Sequence, residues 1–303
     1  MSDDLFPGFQ SHWIDTEAGR IFARSKGDGP PLMLLHGFPQ THVMWHRLAP
    51  VLAETYRVVC MDLRGYGWSS VPRSDDEHET YSKRAMGQDV IAVMEALGAT
   101  RFALAGHDRG ARVGYRLALD HPGRIERLSL LDILPTSYVW AQMKAGHVPE
   151  AHWGFLSRPY PWPEDDIGRN PIAYFEGLMT KWAAPGDLSP FDPRAMQAYR
   201  QGFNEPSRIH AFCEDYRAGA TRDIEADDAD RAAGRTIQCP VQLIWSDFYL
   251  VSGTSGEEQH PLDIWRSTFA PGIRGVGISS GHFMAEEEPG ATLTALQEFL
   301  GTP

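Results

Sequence analysis

Cysteine is scarce in this 303-residue chain. The three present, Cys60, Cys213 and Cys239, are far apart and odd in number. They form no C-x-x-C pair, so neither a disulfide framework nor a zinc site is indicated. Positive charge is also short: 28 Lys and Arg stand against 40 Asp and Glu, a net charge of -12. That balance disfavours nucleic acid and anionic membrane as partners, and it makes any local basic cluster more telling. No apolar run approaches a membrane span, and the acidic start Met1-Ser2-Asp3-Asp4-Leu5 carries no apolar signal region. A soluble, cytoplasmic protein is expected. Internal repeats and low-complexity tails are absent as well. What is there is ordinary for a globular protein, 42% hydrophobic and 22% charged residues. The length suits one large α/β domain with an insertion, or two domains.

Short apolar runs alternate with helical patterns. Residues 9–26 alternate apolar and polar about a turn at Gly19, the pattern of an antiparallel hairpin. Pro31 to Leu35 and Arg57 to Asp62 read as buried strands, and Thr41 to Thr55 and Ser82 to Leu97 as helices. Arg101 to Ala105 and Ile125 to Leu131 are further strands. From Thr136 to about Arg235 no buried strand is visible. That segment carries helical patterns at Tyr138–Gly146, Ile172–Trp182, Arg194–Phe203 and Arg208–Ala218. Arg158-Pro159-Tyr160-Pro161-Trp162-Pro163 reads as an extended piece among them. The rhythm resumes with strands at Val241–Trp245 and Arg274–Ile278, and helices at Leu262–Phe269 and 288–300. Such alternation implies a mostly parallel sheet with helices on both faces. The expected division is a core of 1–136 and 236–303, interrupted by a helical cap of 137–235.

The most informative stretch is Leu104-Ala105-Gly106-His107-Asp108-Arg109-Gly110-Ala111-Arg112. An apolar strand runs into it and a helical pattern, Ala111 to Leu119, runs out. Gly106 and Gly110 flank Asp108 at minus two and plus two, where a side chain would collide with the neighbouring turn. This arrangement sets a nucleophile at the tip of a sharp strand-to-helix elbow. Here the nucleophile position holds a carboxylate. A carboxylate attacks carbon and leaves an ester on the protein, which water must then cleave. An Asp simply capping the helix is the alternative.

In an open parallel sheet, sites form at the carboxyl ends of the strands. Asp108, Asp132 and His282 all lie there. His282 suits activation of water, and Asp132 suits orienting His282 and stabilising its imidazolium. Asp247, two residues after Trp245, is a rival orienting acid; Asp132 is preferred. His36-Gly37-Phe38-Pro39-Gln40 follows a strand and suits a tight turn whose amides point into a site. Leu63-Arg64-Gly65-Tyr66-Gly67-Trp68-Ser69 is Gly-rich but matches neither phosphate-loop spacing.

These residues resemble the α/β-hydrolase-fold dehalogenases and epoxide hydrolases, and most closely the fluoroacetate dehalogenases. The resemblance covers essentially the whole chain. It rests on His36–Gln40, Asp62-Leu63-Arg64-Gly65-Tyr66-Gly67, the Asp108 elbow, Leu131-Asp132-Ile133-Leu134-Pro135, His152-Trp153, Asp215-Tyr216-Arg217-Ala218-Gly219 and Gly281-His282-Phe283. The order nucleophile, acid, histidine is that of the α/β hydrolases. The resemblance implies an α/β-hydrolase fold with an inserted helical cap and a homodimer, and neither metal nor organic cofactor. It implies halide binding by His152, the Trp153 indole and the Tyr216 hydroxyl, each able to donate a hydrogen bond.

Related haloalkane dehalogenases and epoxide hydrolases usually carry Trp after the nucleophile; here it is Arg109. Arg112 shares a helix face with Asp108. Two guanidinium groups beside one carboxylate leave excess positive charge, costly to bury unless an anion completes the site. A substrate carboxylate fits the fork of an arginine. A carbon bearing both a carboxylate and a leaving group is then the expected substrate, and the resemblance implies a 2-haloacid such as fluoroacetate or chloroacetate. Asp108 displaces halide, and His282 assists hydrolysis of the ester to glycolate. The Phe38 and Arg109 amides hold the oxyanion. Two other readings stay open: an epoxide hydrolase with the same Asp nucleophile, and a ligand receptor without turnover built on a hydrolase fold.

Overall fold

A computed structural model of the chain describes residues 4–147, 151–251 and 260–301. Eight strands form one sheet: β1 (Gln10–Thr16), β2 (Gly19–Lys26), β3 (Pro31–Leu35), β4 (Arg57–Met61), β5 (Phe102–His107), β6 (Ile125–Leu131), β7 (Val241–Ser246) and β8 (Arg274–Ile278). Their order across the sheet is β1-β2-β4-β3-β5-β6-β7-β8. β1 and β2 form the antiparallel hairpin and β2 runs antiparallel to β4; every other pairing is parallel.

Both faces of the sheet are covered, and the side-chain period of two shows it. In β3, Leu32 and Leu34 belong to one apolar cluster while Met33 and Leu35 belong to the other; in β4, Val58 and Cys60 oppose Val59 and Met61. This is why these strands read as unbroken apolar runs. Each Val, Leu or Met buried there contributes about 1.5–3 kcal/mol.

The helices are α1 (Ala49–Leu52), α2 (Lys83–Ala96), α3 (Asp108–Asp120), α4 (Thr136–Lys144), α5 (Ala151–Leu156), α6 (Trp162–Gly168), α7 (Pro171–Trp182), α8 (Pro193–Phe203), α9 (Pro206–Ala220), α10 (Arg222–Ala232), α11 (Pro261–Thr268), α12 (Met284–Glu287) and α13 (Pro289–Leu300). Helices α4 to α10 all fall between β6 and β7. No helix among the described residues is long and apolar enough to cross a membrane.

Three local expectations change. The single helix expected over 41–55 is a 3-10 turn, His42–Trp45, followed by the four-residue α1. Pro50 lacks the N–H a continuous helix needs and is accepted only in a first turn. The Pro-rich piece expected to be extended enters α6 at Trp162. Pro163 occupies the tolerated first turn, with Glu164 and Asp165 beside it at the positive end of the helix. Helix α10 carries no apolar period because its buried residues are Asp223, Asp227 and Asp230. They face cations: Lys83 Nζ lies 3.4 Å from Asp223, and Arg116 Nη1 lies 3.7 Å from Asp227 and bonds Asp230 through Nη2. Of the loop 248–260, residues 252–259 lie outside the described residues.

Candidate active site

The elbow is built as its glycines require. Asp108 takes φ +43°, a left-handed conformation rare for a residue with a side chain. A Cβ on Gly106 would stand 2.6 Å from the Ala111 amide nitrogen, and one on Gly110 would stand 2.4 Å from the His36 carbonyl oxygen. Helix α3 begins at Asp108 itself, three residues earlier than the sequence pattern indicates.

The two oxygens of Asp108 have different surroundings. Oδ1 accepts a 2.9 Å hydrogen bond from the Phe38 amide. The Arg109 amide, in the first turn of α3, makes no such bond to the carboxylate. Oδ2 faces His282 Nε2 at 4.0 Å, too long for a direct hydrogen bond. Burial works to raise the Asp108 carboxyl. His282 and then Arg109, His107 and Arg112 outweigh it, so Asp108 is held below the ordinary carboxylate range. It is ionised at neutral pH.

His282 Nδ1 donates to Asp132 Oδ2 at 2.6 Å. Asp132 Oδ1 accepts from the Ser246 amide at 2.8 Å and its hydroxyl at 2.7 Å. The ends of β6 and β7 thereby clamp the acid that orients the histidine. Asp247 is exposed in the turn after β7 and makes no ion pair with His282 among the described residues. Burial opposes protonation of His282, but its bond to Asp132 and the charges of Asp132 and Asp108 prevail and raise its pKa. Tyr249 covers the imidazole, ring centroids 4.3 Å apart, and the Trp182 carbonyl receives the His282 amide at 2.9 Å.

His152, Trp153 and Tyr216 come together above the elbow. Their ring centroids lie 5.6 Å (His152–Tyr216), 5.9 Å (Trp153–Tyr216) and 6.4 Å (His152–Trp153) apart. Burial pushes the His152 pKa down to about 3, so the ring is neutral. Two guanidinium groups lie against this cluster: Arg109 is 4.3 Å from the Tyr216 ring centroid and Arg112 is 4.5 Å from that of Trp153. The Phe38 side chain fills the floor, edge-on to Phe175, Phe212 and Tyr216.

Residues 30–251 match the family model of the alpha/beta hydrolase fold. A fluoroacetate dehalogenase from Burkholderia sp is 43% identical over 98% of this chain and 95% of its own length. The chain belongs to the α/β-hydrolase-fold fluoroacetate dehalogenase family. Among solved structures, a protein from Nostoc sp PCC 7120 described as an alpha/beta hydrolase superposes with a TM-score of 0.90 at 45% identity, covering 98% of this chain and 99% of the other. A protein from Pseudomonas aeruginosa described as an epoxide hydrolase gives 0.89 at 43%, covering 99% and 98%.

In this α/β hydrolase the two guanidinium groups beside the elbow are not alike, contrary to the expectation that both carry excess charge. Arg109 is not an uncompensated cation. Its Nη2 donates to Asp215 Oδ1 at 2.6 Å and to the Asp215 carbonyl at 2.7 Å, and Nε lies 3.1 and 3.2 Å from the two carboxylate oxygens. Lys83 Nζ also binds Asp215, and the Tyr66 hydroxyl donates to it at 2.7 Å. Arg112 differs. Its Nη1 donates to the Leu134 carbonyl and to Thr136 Oγ1, both at 3.0 Å. No carboxylate lies within ion-pair distance of it among the described residues. Buried donors remain unused on both side chains, Nη1 of Arg109 and Nε of Arg112.

Asp215, Lys83, Trp182 and Tyr249 were not singled out as site residues from sequence. Asp215 sits inside the Asp215-Tyr216-Arg217 motif, and its adjacency to Tyr216 was the available signal. The Gly-rich connection after β4 is a packing device. Gly67, at φ +48°, would carry a Cβ only 2.1 Å from Asp62 Oδ2, and Asp62 accepts the His42 and Trp68 amides.

Proposed function

We propose that this hydrolase cleaves the carbon–halogen bond of small 2-haloacids, fluoroacetate or chloroacetate, giving glycolate and halide. The observation that carries the reading is Arg112: a buried cation beside the Asp108 elbow, without a carboxylate partner and with a donor to spare. Burying such a charge is costly, and a substrate carboxylate relieves the cost. Arg109, already held by Asp215, adds its free Nη1.

With the carboxylate there, the halogen-bearing carbon meets Asp108 Oδ2, the oxygen not engaged by Phe38. Oδ2 forms a bond to that carbon as halide leaves toward His152, Trp153 and Tyr216, neutral groups that donate hydrogen bonds to it. Fluoride is strongly hydrated, so donors must be in position before the bond breaks. The 4.0 Å between His282 Nε2 and Oδ2 suits a shared water. His282 takes the water's proton as its oxygen adds to the Asp108 carboxyl carbon. The oxyanion develops on Oδ1, where the Phe38 amide already points, and it collapses as the bond from the carboxyl carbon to Oδ2 breaks: glycolate leaves with Oδ2 and the proton held by His282, and the water's second proton passes to solvent. The same reading takes 137–235 as a cap over a core of 1–136 and 236–303, and the protein as a cytoplasmic homodimer.

An epoxide hydrolase is the second reading, favoured by the description of the Pseudomonas aeruginosa structure. A neutral epoxide leaves Arg112 unmatched. The deciding experiment measures fluoride from fluoroacetate, chloride from chloroacetate and diol from a neutral epoxide, each with Asp108→Asn alongside. Halide release lost in the variant is expected. Diol without halide, or turnover unaffected by Asp108→Asn, overturns the reading.

A further inference from the structure

The loop that leaves β4 and the two helices α6 and α9 enclose a groove of about 1260 Å³ on the outer side of α9. It is separate from the Asp108 site: α9 turns Asp215 and Tyr216 inward to that site, whereas His210, Glu214 and Arg217 line the groove. Three side chains from three elements meet in it. His210 Nδ1 lies 2.9 Å from Glu164 Oε1, and His210 Nε2 lies 2.9 Å from Ser74 Oγ.

The protonation pattern follows from the partners. Glu164 is bound by Arg217 through Nη1 to Oε1 at 2.7 Å and Nη2 to Oε2 at 2.9 Å. Burial works to raise Glu164, but the His210 and Arg217 bonds prevail and lower it, so it is ionised. An ionised Glu164 accepts the Nδ1 proton of His210. Nε2 is then the bare nitrogen, and Ser74 Oγ–H donates to it. Nucleophile bonded to base and base bonded to an orienting carboxylate is the arrangement that activates a serine, recognised by geometry and not by sequence position. Ser74 and His210 are partly open to solvent, so a reactant can reach both. The Tyr160 ring, 67% exposed, stands edge-on to His210 with centroids 5.3 Å apart and offers an apolar wall. Arg73 lines the groove, exposed and without an ion-pair partner among the described residues.

We propose that Ser74, His210 and Glu164 form a second hydrolytic site, independent of Asp108, for small carboxylic esters with an aryl or short alkyl alcohol. Ser74 Oγ bonds to the ester carbonyl carbon and its proton passes to His210 Nε2. The bond to the alcohol oxygen breaks and that oxygen takes the proton from His210, leaving an acyl-serine. Water then adds to the acyl carbon and gives a proton to His210. The carboxylic acid departs as Ser74 recovers that proton.

The test uses the full chain carrying Asp108→Asn, which silences the first site, with 4-nitrophenyl acetate and 4-nitrophenyl butyrate. Release of 4-nitrophenol is expected to persist and to fall at least ~100-fold on adding Ser74→Ala or His210→Gln. A fluorophosphonate probe should mark the Ser74 peptide by mass spectrometry of the otherwise unaltered chain, independently of how the variants fold. Ser74→Ala alone should leave halide release unchanged. Equal 4-nitrophenol release with and without Ser74, no release in the Asp108→Asn chain, or a label elsewhere overturns the proposal.

Discussion

The Arg109 guanidinium and the Asp215 carboxylate form a fully buried ion pair, Nη2 to Oδ1 at 2.6 Å, that joins the nucleophile elbow to helix α9. Burial works against both charges. The pairing, with Lys83 as a second cation on Asp215, keeps the acid well below and the base above their usual ranges. Helix α10 extends the network. Asp223 reaches Lys83, while the Tyr115 hydroxyl links Asp227 to Thr136, which receives Arg112. Each arginine of the site is therefore steadied from the same acidic helix face.

Removing the acid of this pair leaves Arg109 buried without a carboxylate partner and Lys83 with Asp223 alone. Asp215→Asn should destabilise the protein by roughly 3–5 kcal/mol, the cost of breaking a buried pair from one side. Urea denaturation measures it. An unaltered midpoint would mean that solvent or a rearranged carboxylate compensates Arg109 and Lys83.

Arg112 and Arg109 should not contribute alike to haloacid recognition. Arg112→Met removes the unmatched charge and should raise KM for chloroacetate by ~10-fold or more. KM for neutral chloroacetamide should change little. Steady-state kinetics on the two substrates decides it, and equal effects on both would remove the carboxylate from the Arg112 pocket.

His282 should govern the acid limb of the pH profile. It must be neutral to take a proton from water, and its pKa is raised above 6.5. Turnover should therefore decline, as pH falls, from a point above 6.5. His282→Gln should release one halide per site and stop, with the ester retained on Asp108 and visible as added mass. Continuing turnover in that variant would assign the second step to another base.

Glu286 is an acid kept protonated by its surroundings. Buried beneath Gln40 and Tyr199, it is pushed up to about 8 from an ordinary 4.5, with burial the main cause. Between those values the folded state holds a proton that the unfolded state has released. The stabilisation is full below 4.5 and is lost as pH rises through about 8. Glu286→Gln should flatten that decline in denaturation midpoints. A slope equal to the parent's would place the proton elsewhere.

The elbow and the strand rhythm were legible in sequence because each depends on neighbours in the chain. Gly106 and Gly110 are required by atoms within or beside the turn, and the buried strands declare themselves by apolar runs. The partnership of Arg109 was not legible, since Asp215 lies 106 residues away and pairs through space. Helix α10 escaped notice because its inward face is acidic, and an apolar period detects only faces that bury apolar groups. The choice between Asp132 and Asp247 had the same origin: both follow parallel strands, and only the turn of each chain end decides which carboxylate meets His282. Sequence by itself determined a mostly parallel sheet covered by helices and a carboxylate at the tip of a tight strand-to-helix elbow, because local sterics and periodic burial dictate both. Tertiary structure alone decided which charges are neutralised and which stay open, because electrostatic partnership depends on distance in space and on the exclusion of water.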